Sequence, residues 1–271
     1  MRGFLVLVGG GKMGGAMLAG WLARGIKPDQ VHVIEPDQGR AEALRKERGV
    51  SVHADAAQLP ATLKAEVVVL AVKPQSMDGV IGTYRRFVGP ECLFLSIAAG
   101  KTIGYFEGKL GGAAAVVRSM PNTPAAVGRG ITVACPNKRV SAAQRQVADD
   151  LLKSVGEVAW IEEEGLLDAV TAVSGGGPAY VFLLAESLAV AGVASGLPRD
   201  LSERLARVTV AGAGELLHQS PEPPSTLRKN VTSPAGTTER ALNVLMSPDG
   251  WQSLLDKAIA AATARSKELS G

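Results

Sequence analysis

Short apolar runs alternating with helical stretches through the first 161 residues, and the loss of that strand signal beyond them, predict an α/β domain followed by an all-α domain. The runs Phe4 to Val8, Val31 to Ile34, Val67 to Val72, Leu93 to Ile97, Ala115 to Arg118 and Thr132 to Ala134 read as buried strands. Helical stretches such as Gln38 to Arg48 separate them, so the expected sheet is parallel and doubly wound, with helices on both faces. Ser141 to Gln144 has capping-box spacing; the helix it opens carries Val147, Leu151, Leu152 and Val155 on one face, and Gly156 stops it. A last strand, Val158 to Ile161, closes a domain of residues 1–161.

Residues 162–271 read as helices: Leu166 to Val173, Ala179 to Ala194, Leu201 to Leu217, Ser225 to Val231, Thr238 to Met246 and Trp251 to Leu269. Asp200 to Glu203 supplies a cap, and Pro221 to Pro224 makes a turn. Two of these helices carry small residues at close spacing, among them Ala185, Ala189, Gly192, Ala211, Gly212 and Gly214. Such apolar faces are hard for a small helical domain to bury alone, so a homo-oligomer built through it is expected.

At 271 residues, 46% hydrophobic and 20% charged, the composition is that of a globular chain of one large or two ordinary domains. The net charge of +3 is small and no basic run interleaves with aromatics, which gives no support to nucleic-acid binding. Small molecules and further copies of the chain are the expected partners. Cys92 and Cys135, both in apolar settings without metal-ligand spacing, read as core thiols, and no metal site is expected. Phe4 to Val8 is well short of a signal-peptide core, so the expected location is cytoplasmic. The longest apolar run, Ala179 to Leu197, is interrupted by Glu186, Ser187, Gly192, Ser195 and Gly196; it reads as a helix buried between protein surfaces, not as a membrane span.

Three Gly-rich segments carry the chemistry. Gly9-Gly10-Gly11-Lys12-Met13-Gly14 has G-x-G-x-x-G spacing directly after a strand and before a helix, the context of a dinucleotide site in a Rossmann-type domain. Ser174-Gly175-Gly176-Gly177-Pro178-Ala179-Tyr180 and Val231-Thr232-Ser233-Pro234-Ala235-Gly236-Thr237-Thr238 each open a helical pattern with small residues. A helix N-terminus offers unpaired N–H groups and partial positive charge, so these segments read as a receptor for a carboxylate.

Those three motifs, with Ala71-Val72-Lys73-Pro74, Arg118-Ser119-Met120-Pro121-Asn122-Thr123-Pro124 and Leu227-Arg228-Lys229-Asn230, closely resemble pyrroline-5-carboxylate reductase, in the right order over nearly the whole chain. The resemblance implies reduction of the ring imine of 1-pyrroline-5-carboxylate to L-proline by NADPH or NADH, the last step of proline synthesis. It also implies a Rossmann-type cofactor domain and a helical domain that pairs two subunits, with the active site at their junction and dimers assembling further. The residue inventory agrees with an imine: His32, His53 and His218 all lie outside the Gly-rich motifs, whereas hydroxy-acid or alcohol oxidation usually uses a titrating base. Two other classes stay open, another NAD(P)-dependent imine or hydroxy-acid reductase, and a non-catalytic dinucleotide-binding protein.

Site residues follow from motif and resemblance together. Ser233, Ala235, Gly236 and Thr237 are expected to clasp the substrate carboxylate, and the resemblance puts the Thr238 hydroxyl at the ring nitrogen as the catalytic group. Capping of the following helix by Ser233 and Thr237 is the plain alternative. Glu164 is a substrate contact by resemblance, or a solvated helix start by its Glu162-Glu163-Glu164 setting. Ser174 to Pro178 reads as a helix-to-helix joint with Pro178 at the first helical position, beside the partner subunit's site by resemblance.

The cofactor set is Gly9, Gly10, Gly11, Lys12, Met13, Gly14, Glu35, Ala71, Val72, Lys73, Pro74, Ala98 and Asn230, the last reaching the nicotinamide half by resemblance. Glu35, about 20 residues beyond the last motif glycine, favours NADH; the family commonly uses NADPH, and Arg40 is close enough to hold a 2′-phosphate. Three positions depart from the family pattern: Gly176 stands for a serine, Ala235 for a glycine and Ala56 for an asparagine.

Overall fold

A computed structural model describes residues 3–270. Contacts divide the chain into two compact units, which among the described residues are 3–175 with 263–270, and 176–262. The sequence boundary at 161/162 marks the end of the sheet; the first unit continues through a helical stretch to Gly175 and includes the end of the last helix.

In the first unit, β1 (Phe4–Val8), β2 (Val31–Ile34), β3 (Ser51–His53), β4 (Ala65–Leu70), β5 (Leu93–Ser96), β6 (Ala115–Met120), β7 (Gly130–Pro136) and β8 (Gly156–Trp160) form one sheet. Its order is β3-β2-β1-β4-β5-β6-β7-β8, and the β1/β4 neighbours make the crossover of a Rossmann-type sheet. Pairing is parallel except between β6 and β7, where the expectation of a wholly parallel sheet fails. The link Pro121 to Arg129 is too short for the dozen or so residues of a crossover, so β7 must return antiparallel. The sequence reading also passed over β3, whose three residues are too few to show a period.

Alternation along the strands fills both faces. Leu5, Leu7, Val67, Val69, Leu93, Leu95, Ala115 and Val117 join one core cluster with Met17, Leu18 and Trp21 of α1 (Lys12–Ala23), and Ala148, Leu151 and Leu152 of α5 (Ala142–Lys153). Val6, Val8, Val68, Leu70, Phe94 and Val116 join the other, with Met77 of α3 (Met77–Val80), and Phe106 and Leu110 of α4 (Ile103–Leu110). Burial on both faces is why these strands read as continuous apolar runs. The capping box of α5 forms in full, the Ser141 hydroxyl accepting from the Gln144 N–H and the Gln144 amide oxygen from the Ser141 N–H. Asp37 caps α2 (Gln38–Arg48) by accepting from the Arg40 N–H at 2.8 Å. Both cysteines are buried free thiols, and burial pushes Cys92 up to about 12 and Cys135 up to about 11, well away from reactivity.

Beyond β8 the first unit continues through α6 (Leu167–Val170) and a wider turn, Thr171–Gly175, and α7 (Gly177–Ala194) opens the second. The end of α11 (Trp251–Ser270) returns to the first unit, where the buried Ser266 hydroxyl donates to Asp168 of α6 at 2.7 Å.

The second unit holds α7, α8 (Arg199–Gln219), α9 (Pro224–Asn230), α10 (Thr237–Leu245) and the first turns of α11. α7 and α8 form a hairpin whose close approach depends on Gly192: a side chain there would run into Ser202. The expected cap at Asp200 to Glu203 is not made. α8 starts at Arg199, and the Ser202 hydroxyl donates across the hairpin to the Ala189 carbonyl at 2.7 Å. With Pro198 as its cap residue, the helix starts two residues earlier than the acidic residues suggested. α7 has no buried residue in the single chain, so the expectation that this helix lies between protein surfaces is not met within one copy. By length and composition the run Glu164–Ala194 passes as a membrane-crossing helix, with mean hydropathy 1.5 in its most apolar window.

Candidate active site

The C-terminal edge of the sheet gathers the residues expected to hold a dinucleotide, except Asn230, which lies in the second unit. The turn after β1 is stitched to its neighbours, the Gly9 N–H donating to the Ile34 carbonyl at 2.9 Å and the Ala71 N–H to the Val8 carbonyl at 2.8 Å. Gly9 has φ +101 and lies against the Ala71 carbonyl, while a side chain at Gly14 would enter the Gly9 carbonyl. Only glycine serves at both positions, and the turn therefore brings bare backbone to the start of α1. No side chain caps α1 and no acid stands in its first turn, so its N–H groups are open to an anion.

Around this turn Lys12 and Lys73 are exposed, Met13 and Ala71 pack on one core face, and Val72 and Ala98 on the other. Pro74 opens the short turn Pro74–Ser76 beyond β4. Glu35, at the end of β2, is 5% exposed. One of its oxygens accepts from the Gly10 N–H at 3.0 Å and the other from the Asp37 N–H at 3.0 Å. The Arg40 Nε lies 3.8 Å from the same carboxylate, with the Arg40 side chain half exposed.

Glu164 lies in the first unit. Its Oε1 accepts from Arg118 at 2.7 Å and from the Ile103 N–H, the first of α4, at 2.7 Å. Glu164 does open a short helical turn, Glu164–Leu166, but its carboxylate is not free in solvent: it neutralises a buried guanidinium and satisfies the N-terminus of α4. Ser174 to Gly176 leads from the wider turn into α7, whose cap residue is Gly176 with no side-chain cap bond; Pro178 is the second residue of α7, not the first.

The other segment also opens a helix, α10. Ser233 to Gly236 is a tight turn closed by the Gly236 N–H donating to the Ser233 carbonyl at 3.0 Å, with Pro234 and Ala235 at its centre. Ala235 has φ 60, the left-handed conformation such a turn needs at that position. The cap of α10 is Gly236 and no side chain bonds there, so Ser233 and Thr237 do not cap the helix. Thr237 and Thr238 are exposed in its first turn. Asn230 ends α9 in the same unit and its amide donates to Glu222 at 3.3 Å. The sequence reading passed over Glu222, because an acid within a Pro-rich turn carries no pattern.

Residues 164–269 match the model of a family described as pyrroline-5-carboxylate reductase dimerisation, and residues 4–100 one described as NADP oxidoreductase coenzyme F420-dependent. A pyrroline-5-carboxylate reductase from Pseudomonas aeruginosa is 39% identical, over 98% of this chain and 96% of that one. The chain belongs to the pyrroline-5-carboxylate reductase family. Another relative, from Synechocystis, is 40% identical over 98% of this chain and 97% of its own. Among solved structures, a pyrroline-5-carboxylate reductase from Coxiella burnetii superposes with a TM-score of 0.92 at 34% identity, covering all of both chains. A pyrroline carboxylate reductase from Plasmodium falciparum with NADP bound gives 0.82 at 31%, over 100% of this chain and 99% of that one.

Proposed function

We propose that this protein reduces the C=N bond of 1-pyrroline-5-carboxylate to give L-proline, with NAD(P)H as the reductant. End-to-end kinship with pyrroline-5-carboxylate reductases carries the reading. The open N-terminus of α1 and the glycine cradle before it fit a dinucleotide pyrophosphate. When bound, the reduced nicotinamide supplies a hydride to the ring carbon of the imine.

The chain's own residues bind, orient and protonate. The turn Ser233 to Thr237 receives the substrate carboxylate on backbone N–H groups and the Ser233 hydroxyl. Thr238 holds the ring nitrogen through its hydroxyl as that nitrogen gains a proton and becomes the amine of proline. Asn230, braced by Glu222, serves the nicotinamide half. Glu164 contacts the substrate in this reading, as its resemblance to the family implies; its hold on Arg118 and on the start of α4 is what supports a fixed carboxylate.

The finer assignments belong to the same proposal. The functional division at 161/162 assigns cofactor binding to the first part and substrate binding and pairing to the second. Glu35 and Arg40 favour NADPH, because the acid is spent on its own backbone. The chain works as an oligomer, a homodimer through the helical part with dimers assembling further, in the cytoplasm where its small ionic reactants dissolve.

The test is oxidation of NADPH and NADH, followed by their near-ultraviolet absorbance, with racemic 1-pyrroline-5-carboxylate. Oxidation with L-proline as product is expected. Cofactor binding without turnover would defeat the reading.

A further inference from the structure

The receptor turn is already in contact with a carboxylate from its own chain. Glu239, the acid in the first turn of α10, accepts the Ala235 N–H at 2.8 Å through Oε2. That N–H belongs to the turn assigned above to the substrate's carboxylate. We propose that Glu239 is an internal competitor, which occupies the receptor when substrate is absent and must give way when substrate binds. The inference rests on the reading of Ser233 to Thr238 as the substrate turn.

Two physical points decide between a competitor and a mere brace. The turn has its own closure, the Ser233–Gly236 bond at 3.0 Å, and Pro234 fixes its entry angle, so its shape does not depend on Glu239. Two carboxylates cannot share one N–H donor, and a second negative charge beside it opposes the first. Glu239 sits one turn into an exposed helix end, where its side chain can swing into water once displaced. The consequence is a KM held above what the turn alone would give, with the chemical step untouched.

Glu239→Gln keeps the shape and removes the charge, and Glu239→Ala opens the N–H. In both, KM for 1-pyrroline-5-carboxylate is expected to fall about fivefold while kcat stays within about twofold, the scale set by two unit charges about 4 Å apart in water. Cyclopentanecarboxylate, used as a competitive probe, should bind both variants more tightly, and cyclopentanecarboxamide should not distinguish them from the parent. An unchanged or raised KM in both variants overturns the competitor and leaves a brace. Absence of turnover in the parent protein would defeat the functional reading instead, so the two failures are separable.

Discussion

Cofactor choice turns on two side chains at the end of β2. An acid there reads the ribose hydroxyls only if its oxygens face the ligand, and the Glu35 carboxylate is buried on the N–H groups of Gly10 and Asp37. Arg40, paired loosely with Glu35 and Asp37 next to the glycine turn, keeps half its side chain in water. NADPH should therefore be preferred, and Arg40→Ala should lower its kcat/KM by about tenfold, one charge-assisted phosphate contact, with NADH little affected. Equal losses for both cofactors would show that Arg40 does not read the phosphate. Thr238→Ala bears on the chemistry itself. Loss of the hydroxyl is expected to reduce turnover on the order of 10²-fold, with cofactor affinity nearly constant. Parent-like turnover would take Thr238 out of its role.

Elements differ in how well the sequence announces them. α2 was legible to the residue because Asp37 and the polar helix formers agree, and α5 because its capping box stands alone before an apolar face. The parallel strands showed as apolar runs since both faces are buried, whereas β3 and the direction of β7 depend on partners far away in sequence. In the candidate site, the glycine turn and Ser233 to Thr238 were legible through backbone requirements, which leave a mark in residue type. Glu222 and Glu239 were not, because a side chain that reaches back to a turn does so at a spacing any exposed acid shares.

β2 and β3 also carry a pH dependence. His32 Nδ1 and His53 Nε2 lie 3.0 Å apart with the rings stacked, an arrangement that uses one proton between them. Burial, then the charge of its neighbour, lowers His32; burial, then Arg45, lowers His53, both from 6.5. A lowered histidine leaves the unfolded chain binding more protons as pH falls below the ordinary value, so stability is full above 6.5 and declines below it. A urea midpoint flat above that pH and falling below it is expected, and His53→Gln should flatten the fall. A midpoint that rises on acidification would contradict the pairing.

The whole molecule poses a question that neither residue nor element answers, since the second unit leaves Phe182 62%, Val190 71% and Val208 62% exposed in a single copy. Such a surface is costly in water and must be covered. A bilayer would suit α7 by hydropathy alone, but Glu186 lies in the middle of that helix, and α8 carries Arg204 and Arg207 into a groove of about 730 Å³ beside it. Charges spaced along an apolar face suit a protein surface that can pair them and not a hydrocarbon one. The match of residues 164–269 to a dimerisation family points the same way. The protein should therefore sediment well above the 28.0 kDa of one chain without detergent, and Phe182→Glu should shift it to monomer because a buried unpaired charge is paid for at every interface copy. A monomeric parent, or one recovered only with membranes, would remove the dimer from the account.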